Sequence, residues 1–346
     1  MDDVWTPFAE RLEAELRRIV AGVEPGPRTW RDAVAGVRAL LDSGGKRIRP
    51  RLFLLAFLGA GGREPHDGLV RFAAGIELLH TCMLVHDDVM DGSTRRRGVP
   101  TIHELLRERL GRTDDRAAHG LAVVLGDVLA TLATEALSGA ELDPDRGRRA
   151  RAAQFDAMKD AGVGQLLDLV HGARPIEQVA EDEILEAYRG KTASFSCRAP
   201  LQSGAILAGA GAAAVTAYGE FGLALGTAFQ IRDDLVGLLG PDERTGKSSA
   251  DDVREAKKTL LLRATWERAD APQREWLERT VGRDPPPEDV ERLRALCRDT
   301  GAVAEVERRI EALTARALEA LRAAAPLEPW GAQLAALAAW LQCRQE

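Results

Sequence analysis

The residues best suited to chemistry lie in one short run of this 346-residue chain. Three carboxylates and three guanidinium groups occur between Asp87 and Arg97. On a helix of about 3.6 residues per turn, Asp87 and Asp91 share a face and Asp88 lies on its flank. Like charges at that spacing destabilise a helix, and a divalent cation would offset them. Oxygen ligands without His or Cys favour magnesium, which is usually bound by one or two carboxylates and substrate phosphates. The arginines beyond suit those phosphates. The alternative is a solvated acidic helix end followed by a basic loop.

Lysine is rare in this chain, which indicates that the lysines present have specific functional roles. Only six of the 47 lysine and arginine residues are lysines. Five of them lie in short motifs flanked by glycine or threonine: Lys46, Lys191, Lys247, Lys257 and Lys258. An ammonium on a flexible stem meets a phosphate differently from a planar guanidinium. The motifs therefore favour further phosphate contacts over chance clustering.

A second acidic pair lies near the end of another apolar segment, where Asp233 and Asp234 follow Gln230. Two antiparallel helices that face each other would place the two acidic motifs on opposite walls of one cavity. A diphosphate bridged by magnesium would fit between them. The repeated motif strengthens the prediction of a metal-dependent diphosphate site.

The composition is that of a globular protein with a sizeable core. The chain is 45% hydrophobic and 29% charged, and its net charge of −7 argues against nucleic acid and anionic membrane surfaces as partners. Helical periodicity dominates and predicts an all-α protein, including helices over 179–190, 194–208 and 249–266. The N-terminus has no signal-peptide pattern, and no segment is predicted to span a membrane, so a cytoplasmic protein is expected. We predict one domain, 1–346, with the motifs in residues 29–266 and further helices over 271–346.

The order of the motifs resembles that of the trans-isoprenyl diphosphate synthases of the polyprenyl synthetase family, most of all those that make geranylgeranyl diphosphate. The resemblance covers residues 44 to about 262 and rests on Gly44-Gly45-Lys46-Arg47-Ile48-Arg49-Pro50, His80, the first acidic motif, Arg96-Arg97-Gly98-Val99-Pro100-Thr101, Gly126-Asp127, Lys191-Thr192-Ala193-Ser194, Gln230 with Asp233-Asp234, Thr245-Gly246-Lys247, and Asp251-Asp252 with Lys257-Lys258-Thr259. It implies a helical bundle or barrel of the isoprenoid synthase type around a central apolar cavity. It also implies a magnesium-dependent prenyltransferase that joins isopentenyl diphosphate head to tail to an allylic diphosphate.

The resemblance assigns roles to individual residues. Five carboxylates would hold magnesium, three ions per active site: Asp87, Asp88, Asp91, Asp233 and Asp234. Three cations would bind the allylic diphosphate: Arg96, Lys191 and Lys247. Four would bind isopentenyl diphosphate without metal: Lys46, Arg49, His80 and Arg97. Lys191, Thr192 and Gln230 would be catalytic, the two neutral ones by stabilising an allylic cation, and Lys257 would screen the second metal site. The family usually forms homodimers.

Two departures from the family pattern bear on the product. Many relatives carry a further Asp where this chain has Gly237, which predicts a weaker metal site or altered chemistry there. Cys82 and Met83, one turn before Asp87, would lie beneath the metal site along the growing tail. Members that stop at fifteen carbons often have aromatic side chains there, so the smaller pair predicts a twenty-carbon product, with twenty-five next and fifteen as a further alternative. Both residues would otherwise simply pack in the core.

Three other functions remain open at this stage. A class I terpene cyclase uses the same scaffold but needs no isopentenyl diphosphate site, so the set Lys46, Arg49, His80 and Arg97 favours elongation. A non-catalytic partner subunit would be expected to lack the first acidic motif or Lys191-Thr192. A plain magnesium- or calcium-binding helical protein would not explain the lysine motifs.

Overall fold

The computed structural model describes residues 2–23, 25–109, 115–240 and 253–343. The chain divides into two compact units, one of Met1–Leu54 with Arg63–Arg151 and one of Leu55–Gly62 with Ala152–Glu346. The all-α prediction is confirmed, because the only strands among the described residues are two strands of two residues each, which form a short hairpin. A single domain stays a prediction.

The first unit is a set of helices around the long apolar helix α4. Its elements are α1 (Asp2–Ala21), α2 (Arg28–Asp42), the start of α3 (Ile48–Gly59), α4 (Asp67–Asp91), β1 (Arg95–Arg96), β2 (Val99–Pro100), α5 (Ile102–Arg109), α6 (Asp115–Ser138) and the start of α7 (Pro144–Gly172). Helix α4 is apolar around most of its circumference and packs against α1 and α6. It ends at Gly92, whose left-handed backbone (φ 64°) lets its N–H bond to the carbonyl oxygen of Asp88.

Two helices of this unit are long and apolar enough to cross a membrane by length and composition alone. In α4, 83% of the apolar window is buried, and in α6 the figure is 44%. A core helix passes the same test, so this is weak support for a membrane span.

The second unit is built around α10. Its elements are the rest of α3 and α7, a 3₁₀ turn (Ile176–Gln178), α8 (Glu181–Tyr188), a π-helix (Arg189–Arg198), α9 (Ala199–Ala208), α10 (Ala212–Leu239), α11 (Leu260–Arg268), α12 (Ala271–Thr280), α13 (Pro287–Asp299), α14 (Ala302–Ala324) and α15 (Trp330–Cys343). Helix α10 packs against the π-helix, α9 and α14. Its glycines allow this close approach, since a Cβ at Gly226 would lie 2.5 Å from the Cα of Ala193.

The predicted break between residues 190 and 194 is wrong. The chain stays helical from Glu181 to Ala208, with ten residues of π-helix in the middle. Gly190 supports a close helix crossing and does not end a helix, because a Cβ at Gly164 of α7 would lie 2.1 Å from the backbone nitrogen of Lys191. π-Helical turns occur often at functional sites.

The predicted helix 249–266 is confirmed at 253–254 and 260–266 but is interrupted between them. Residues 255–259 are not helical, and Ala256 has a left-handed backbone with φ 53°. Helix α11 begins at Leu260, where the hydroxyl oxygen of Thr259 accepts a hydrogen bond from the N–H of Leu262. The helix α5 was not predicted, since it is short and polar.

Candidate active site

The first acidic motif closes the C-terminal end of α4 and is paired with the hairpin that follows it. Asp88 is 1% exposed, and its carboxylate accepts a hydrogen bond of 2.6 Å from Nε of Arg96. Arg96 also lies 3.7 Å from Asp87. Asp88 therefore anchors Arg96, while Asp87 and Asp91 share the next face of the helix.

The hairpin that follows α4 determines the direction of the Arg96 and Arg97 side chains. Arg97 and Gly98 form its two-residue turn, both with positive φ (51° and 80°), as a type I′ turn requires. Thr101 secures the base of the hairpin, because its hydroxyl donates a 2.8 Å hydrogen bond to the carbonyl oxygen of Ser93. This turn chemistry fixes the direction in which Arg96 and Arg97 leave the backbone.

A second loop, Gly44–Arg47, brings the predicted isopentenyl diphosphate residues together. Arg97 donates a 2.6 Å hydrogen bond to the carbonyl oxygen of Gly44. Gly45 has φ 151°, and a Cβ there would lie 2.9 Å from a terminal nitrogen of Arg97. Lys46 is exposed, whereas Arg47 is buried and pairs with Glu77. The glycines thus give Arg97 room to lie along the loop backbone.

His80 lies on α4 two turns before Asp87, within reach of these cations. Burial first, and then the positive charges of Arg49 and Arg97, lower the pKa of His80 well below its usual value. A neutral imidazole in a cationic environment is suited to donating a hydrogen bond to an anion. The structure therefore gathers Arg49, His80, Arg96 and Arg97 of the first unit in one electrostatic cluster.

The two predicted chain-length residues lie on different sides of α4. Met83 is half-buried, one turn before Asp87 on the same face. Cys82 is five residues before Asp87, which turns it about 140° away on a helix. It is 2% exposed, and its sulfur lies 4.0 Å from Nδ1 of His86. Burial first, then the charge of Asp127 in α6, raises the pKa of Cys82 to about 11.

The Gly126-Asp127 motif lies where α6 packs against the His86 side chain of α4. The imidazole Nε2 of His86 lies 3.0 Å from the carbonyl oxygen of Val123, and a Cβ at Gly126 would come within 2.1 Å of that nitrogen. Gly126 therefore allows α6 to accept the His86 ring from α4.

The second unit holds a chain of hydrogen bonds that joins its predicted catalytic residues. The hydroxyl of Thr192 donates to the amide oxygen of Gln230 at 2.7 Å. The amide NH₂ of Gln230 donates to Asp234 at 2.8 Å, and the phenol of Tyr188 donates to the other Asp234 oxygen. The N–H of Leu260 donates to the Tyr188 oxygen at 3.1 Å. This chain fixes the amide orientation of Gln230 and leaves the lone pairs of the Thr192 hydroxyl for other contacts.

Tyr188 remains a donor in this chain because burial, followed by the negative charge of Asp234, raises the pKa of Tyr188 well above its usual value. Since both Asp234 oxygens accept hydrogen bonds from neutral groups, Asp234 is placed to orient Gln230. Asp233, its neighbour, is exposed.

Two further lysines of this unit are paired with acids, and a third is bonded to backbone carbonyls. Lys191 lies 2.7 Å from Asp168 of α7, and Lys257 lies 2.7 Å from Glu255. Lys258 is 8% exposed and donates to the carbonyl oxygens of Gly172 and Ala256 at 3.1 and 2.7 Å. Lys247, together with Thr245, Gly246, Asp251 and Asp252, lies outside the described residues.

The donor set of the first acidic motif fits magnesium in one specific sense. Among the described residues, no group of three or more His, Cys, Asp or Glu side chains is arranged to hold a metal ion by itself. Magnesium is often bound by one or two carboxylates and completed by substrate phosphates and water. Asp87 and Asp91 match that requirement, while Asp88 is occupied by Arg96.

Sequence reasoning missed four residues that organise these groups: Arg47, Glu77, Tyr188 and Asp168. Glu77 carried a signal, because it is a charged residue inside the apolar run of α4. The partners of Tyr188 lie 46 and 72 residues away in sequence, so no local pattern indicated them.

Known proteins are similar to this chain in sequence and in fold. The family model described as Polyprenyl synthetase matches residues 34–299. The chain is 35% identical to the geranylgeranyl diphosphate synthase of Saccharolobus solfataricus over 263 residues, which are 75% of this chain and 74% of that protein. It is 33% identical to the geranylfarnesyl diphosphate synthase of Aeropyrum pernix over 285 residues, 82% and 84% of the two chains.

A crystal structure with a similar fold is that of a geranylgeranyl pyrophosphate synthase from Corynebacterium glutamicum, complexed with isoprenyl diphosphate and magnesium. The TM-score is 0.90 at 32% identity, and the match covers 97% of this chain and 98% of that chain.

Proposed function

Since this chain belongs to the polyprenyl synthetase family and is a trans-prenyltransferase, we propose that it joins isopentenyl diphosphate head to tail to an allylic diphosphate. The observation that supports elongation is the cationic cluster around His80 in the first unit. A cyclase ionises one allylic diphosphate and needs no second anion site. We assign this cluster to binding isopentenyl diphosphate without a metal. The proposed binding residues are Lys46, Arg49, His80 and Arg97.

The allylic diphosphate is assigned to a second set of cations. Arg96 lies at the first acidic motif, and Lys191 lies in the π-helix of the second unit. We also assign Lys247 to the allylic diphosphate. Lys257 is proposed to screen the second metal site, whose proposed ligands are Asp233 and Asp234. Asp234 acts through Gln230, and Asp233 offers its carboxylate directly. The loss of an Asp at Gly237 is expected to weaken this second metal site.

Magnesium is the cofactor that the family generally uses, and we propose three ions per active site. When bound, it stabilises the negative charge that develops on the departing pyrophosphate. Asp87 and Asp91 would hold it with the substrate phosphates, and Asp88 keeps Arg96 beside them.

The side chains of this protein bind, orient and shield the reacting groups. As the allylic carbon–oxygen bond breaks, its electron pair leaves with pyrophosphate. The double bond of isopentenyl diphosphate attacks the allylic cation, and a proton from the adjacent carbon passes to the released pyrophosphate. Thr192, held by Gln230, presents its hydroxyl oxygen to the developing positive charge. Neutral oxygens stabilise a cation without capturing it, and apolar walls exclude water, which would capture it.

We propose a twenty-carbon product, geranylgeranyl diphosphate. Met83 supports this length, because a flexible thioether on the Asp87 face leaves room for a tail that an aromatic ring would block. Cys82 faces α6 and contributes less to the floor than the sequence alone indicated. Relatives with the names geranylgeranyl and geranylfarnesyl diphosphate synthase are almost equally similar, so a twenty-five-carbon product is kept as an alternative.

We further propose that the protein is a homodimer. In α7, Val163, Leu166 and Val170 are 58%, 59% and 46% exposed and follow one helix face. In α6, Leu121 and Val124 are 37% and 56% exposed. Clusters of large exposed apolar residues are typical of association surfaces. Leu166→Glu is expected to convert the dimer to a monomer in size-exclusion chromatography with light scattering.

The decisive experiment incubates the purified protein with magnesium, isopentenyl diphosphate and each allylic starter in turn. Dephosphorylated products are then sized by chromatography. We expect geranylgeraniol, abolished by Asp87→Ala, which removes a proposed metal ligand. A cyclic hydrocarbon from one starter alone, with no elongation, would contradict the proposal and identify a cyclase.

A further inference from the structure

Arg47 follows the exposed Lys46 but points into the protein, with only 7% of its surface exposed. Its guanidinium donates to both oxygens of Glu13 at 2.7 and 3.3 Å and to Glu77 at 2.7 Å. A fourth hydrogen bond, of 2.8 Å, goes to the carbonyl oxygen of Leu41. The backbone of Arg47 has φ 43°, a left-handed conformation that costs a non-glycine residue free energy. Arg47 is thus held in a strained conformation by four hydrogen bonds to three partners.

Glu77 is a buried carboxylate in the middle of apolar α4, with 2% of its surface exposed. One oxygen accepts from Arg47, and the other is buried without a hydrogen-bond partner among the residues that the structure describes. Its negative charge also acts on Arg97, where it partly offsets the effect of burial on the guanidinium. His80 follows Glu77 by three residues on the same helix.

A buried ion pair of this kind is poorly explained by stability alone. Removing two charges from water costs free energy that their mutual attraction only partly returns, so an apolar pair of similar size would stabilise the fold at least as well. We therefore interpret the pair as fixing the orientation of the segments that carry it. Three segments are held relative to one another in this way. Glu13 lies in α1, Arg47 in the glycine loop and Glu77 in α4. Two residues of the loop, Gly44 and Gly45, have positive φ, a conformation that glycine adopts more readily than other residues.

We propose that Arg47 and Glu77 are positioning residues for isopentenyl diphosphate, which clamp the glycine loop onto α4 so that Lys46, Arg49 and His80 converge on one diphosphate. The inference rests on the proposed function, because the isopentenyl diphosphate site is itself proposed. Neither residue needs to touch the ligand. Arg47 uses its guanidinium on Glu13 and Glu77, and Glu77 as an anion would repel a diphosphate.

Two conservative variants test this. Arg47→Lys keeps the charge but lacks the planar fork of donors that reaches Glu13, Glu77 and Leu41 from separate nitrogens, and Glu77→Gln keeps the shape but removes the charge. Isothermal titration of isopentenyl diphosphate into metal-free enzyme measures the site directly, and steady-state kinetics give KM for each substrate. In both variants we expect Kd and KM for isopentenyl diphosphate to rise about tenfold, the effect of misplacing one charge-assisted hydrogen bond. KM for the allylic diphosphate and kcat are expected to change less than about threefold on the same scale.

Arg71→Lys is the matched control. Arg71 in α4 lies 3.5 Å from Glu15 in α1, so it bridges the same two helices away from the glycine loop. It is expected to leave the affinity for isopentenyl diphosphate unchanged. If Arg47→Lys and Glu77→Gln lower the melting temperature but bind isopentenyl diphosphate as tightly as Arg71→Lys, the pair is only structural and the inference is overturned.

Arg49→Ala separates this inference from the proposed function. If it abolishes metal-free binding while Arg47→Lys leaves binding intact, only the positioning role fails. If the unmodified enzyme does not bind isopentenyl diphosphate, or if Arg49→Ala binds it normally, the proposed site is wrong and the positioning role fails with it.

Discussion

The phenol of Tyr188 donates a hydrogen bond to the carboxylate of Asp234, across 46 residues of sequence. The same phenolic oxygen accepts the N–H of Leu260. Tyr188 thereby links the second acidic motif of α10 to the first residue of α11. Since Asp234 also accepts from Gln230, the phenol indirectly supports the amide that orients Thr192.

Tyr188→Phe is expected to lower kcat about tenfold, because Asp234 loses one of the donors that fix it and Gln230 is less well oriented. The buried N–H of Leu260 is also left without its acceptor, which should lower the free energy of unfolding by about 1–3 kcal/mol. Steady-state kinetics and urea denaturation measure the two effects. KM for both substrates is expected to change little.

Tyr218→Phe is the matched control for this change. Tyr218 is a fully buried tyrosine of α10 whose hydroxyl has no hydrogen-bond partner among the described residues. Its removal should leave kcat unchanged and stability equal or higher. Equal losses of kcat in the two variants would show that the Asp234 contact has no special role.

Gly45→Ala is expected to raise KM for isopentenyl diphosphate about tenfold, because the new Cβ would lie 2.9 Å from Arg97 and displace its guanidinium. Gly44→Ala provides the comparison, since its φ of 87° is equally unsuited to alanine but no atom lies within 4 Å of the Cβ position. Both changes should cost about 1–2 kcal/mol of stability. A similar rise of KM in both would attribute the effect to backbone strain and not to Arg97.

Met83→Phe is expected to shorten the product from twenty to fifteen carbons, because a rigid ring one turn before Asp87 blocks the path of the tail. Product sizing by chromatography after dephosphorylation measures the change. Cys82→Ala should leave the length unchanged, since Cys82 faces α6. A longer product from Cys82→Ala would place the tail along the α6 side of the helix.

The pH dependence of stability should carry a contribution from His80. Its pKa is lowered in the folded state by burial and by Arg49 and Arg97, so the unfolded chain binds a proton first as the pH falls. His80 therefore favours folding above about pH 6.5, and this contribution is lost below it by about 1.4 kcal/mol per pH unit until the folded pKa is reached.

His80→Asn removes this titration, so its stability should fall less steeply than that of the unmodified protein between about pH 6.5 and 5. Urea denaturation at several pH values gives the slopes. His66→Gln, at an exposed histidine, should leave the slope unchanged. Parallel curves for His80→Asn and the unmodified protein would refute the assignment.

Much of the site could be predicted from local sequence because its residues are neighbours in the chain. The run Asp87–Arg97 contains the carboxylates and the arginines. The hairpin at Arg97-Gly98 was not predicted, because Arg-Gly is not one of the dipeptides that signal a two-residue turn. The all-α class follows from helical periodicity for the same reason. The break predicted near residue 190 was wrong, because glycine ends a helix in one context and admits a neighbouring backbone in another. Only the crossing at Gly164 shows which applies.

The amino-acid sequence alone shows which groups are available: two acidic motifs, the rare lysines, the run of arginines and the apolar helices that carry them. Only the folded chain shows which of those groups are exposed and which are buried against other side chains. Arg47 and Arg49 differ by two positions in one motif, yet burial between Glu13 and Glu77 makes the first an anchor. Asp234 and Cys82 likewise have partners 40 or more residues away in sequence, Tyr188 and Asp127. Charge and spacing are local properties, whereas desolvation and hydrogen-bond saturation depend on contacts that exist only after the chain has folded.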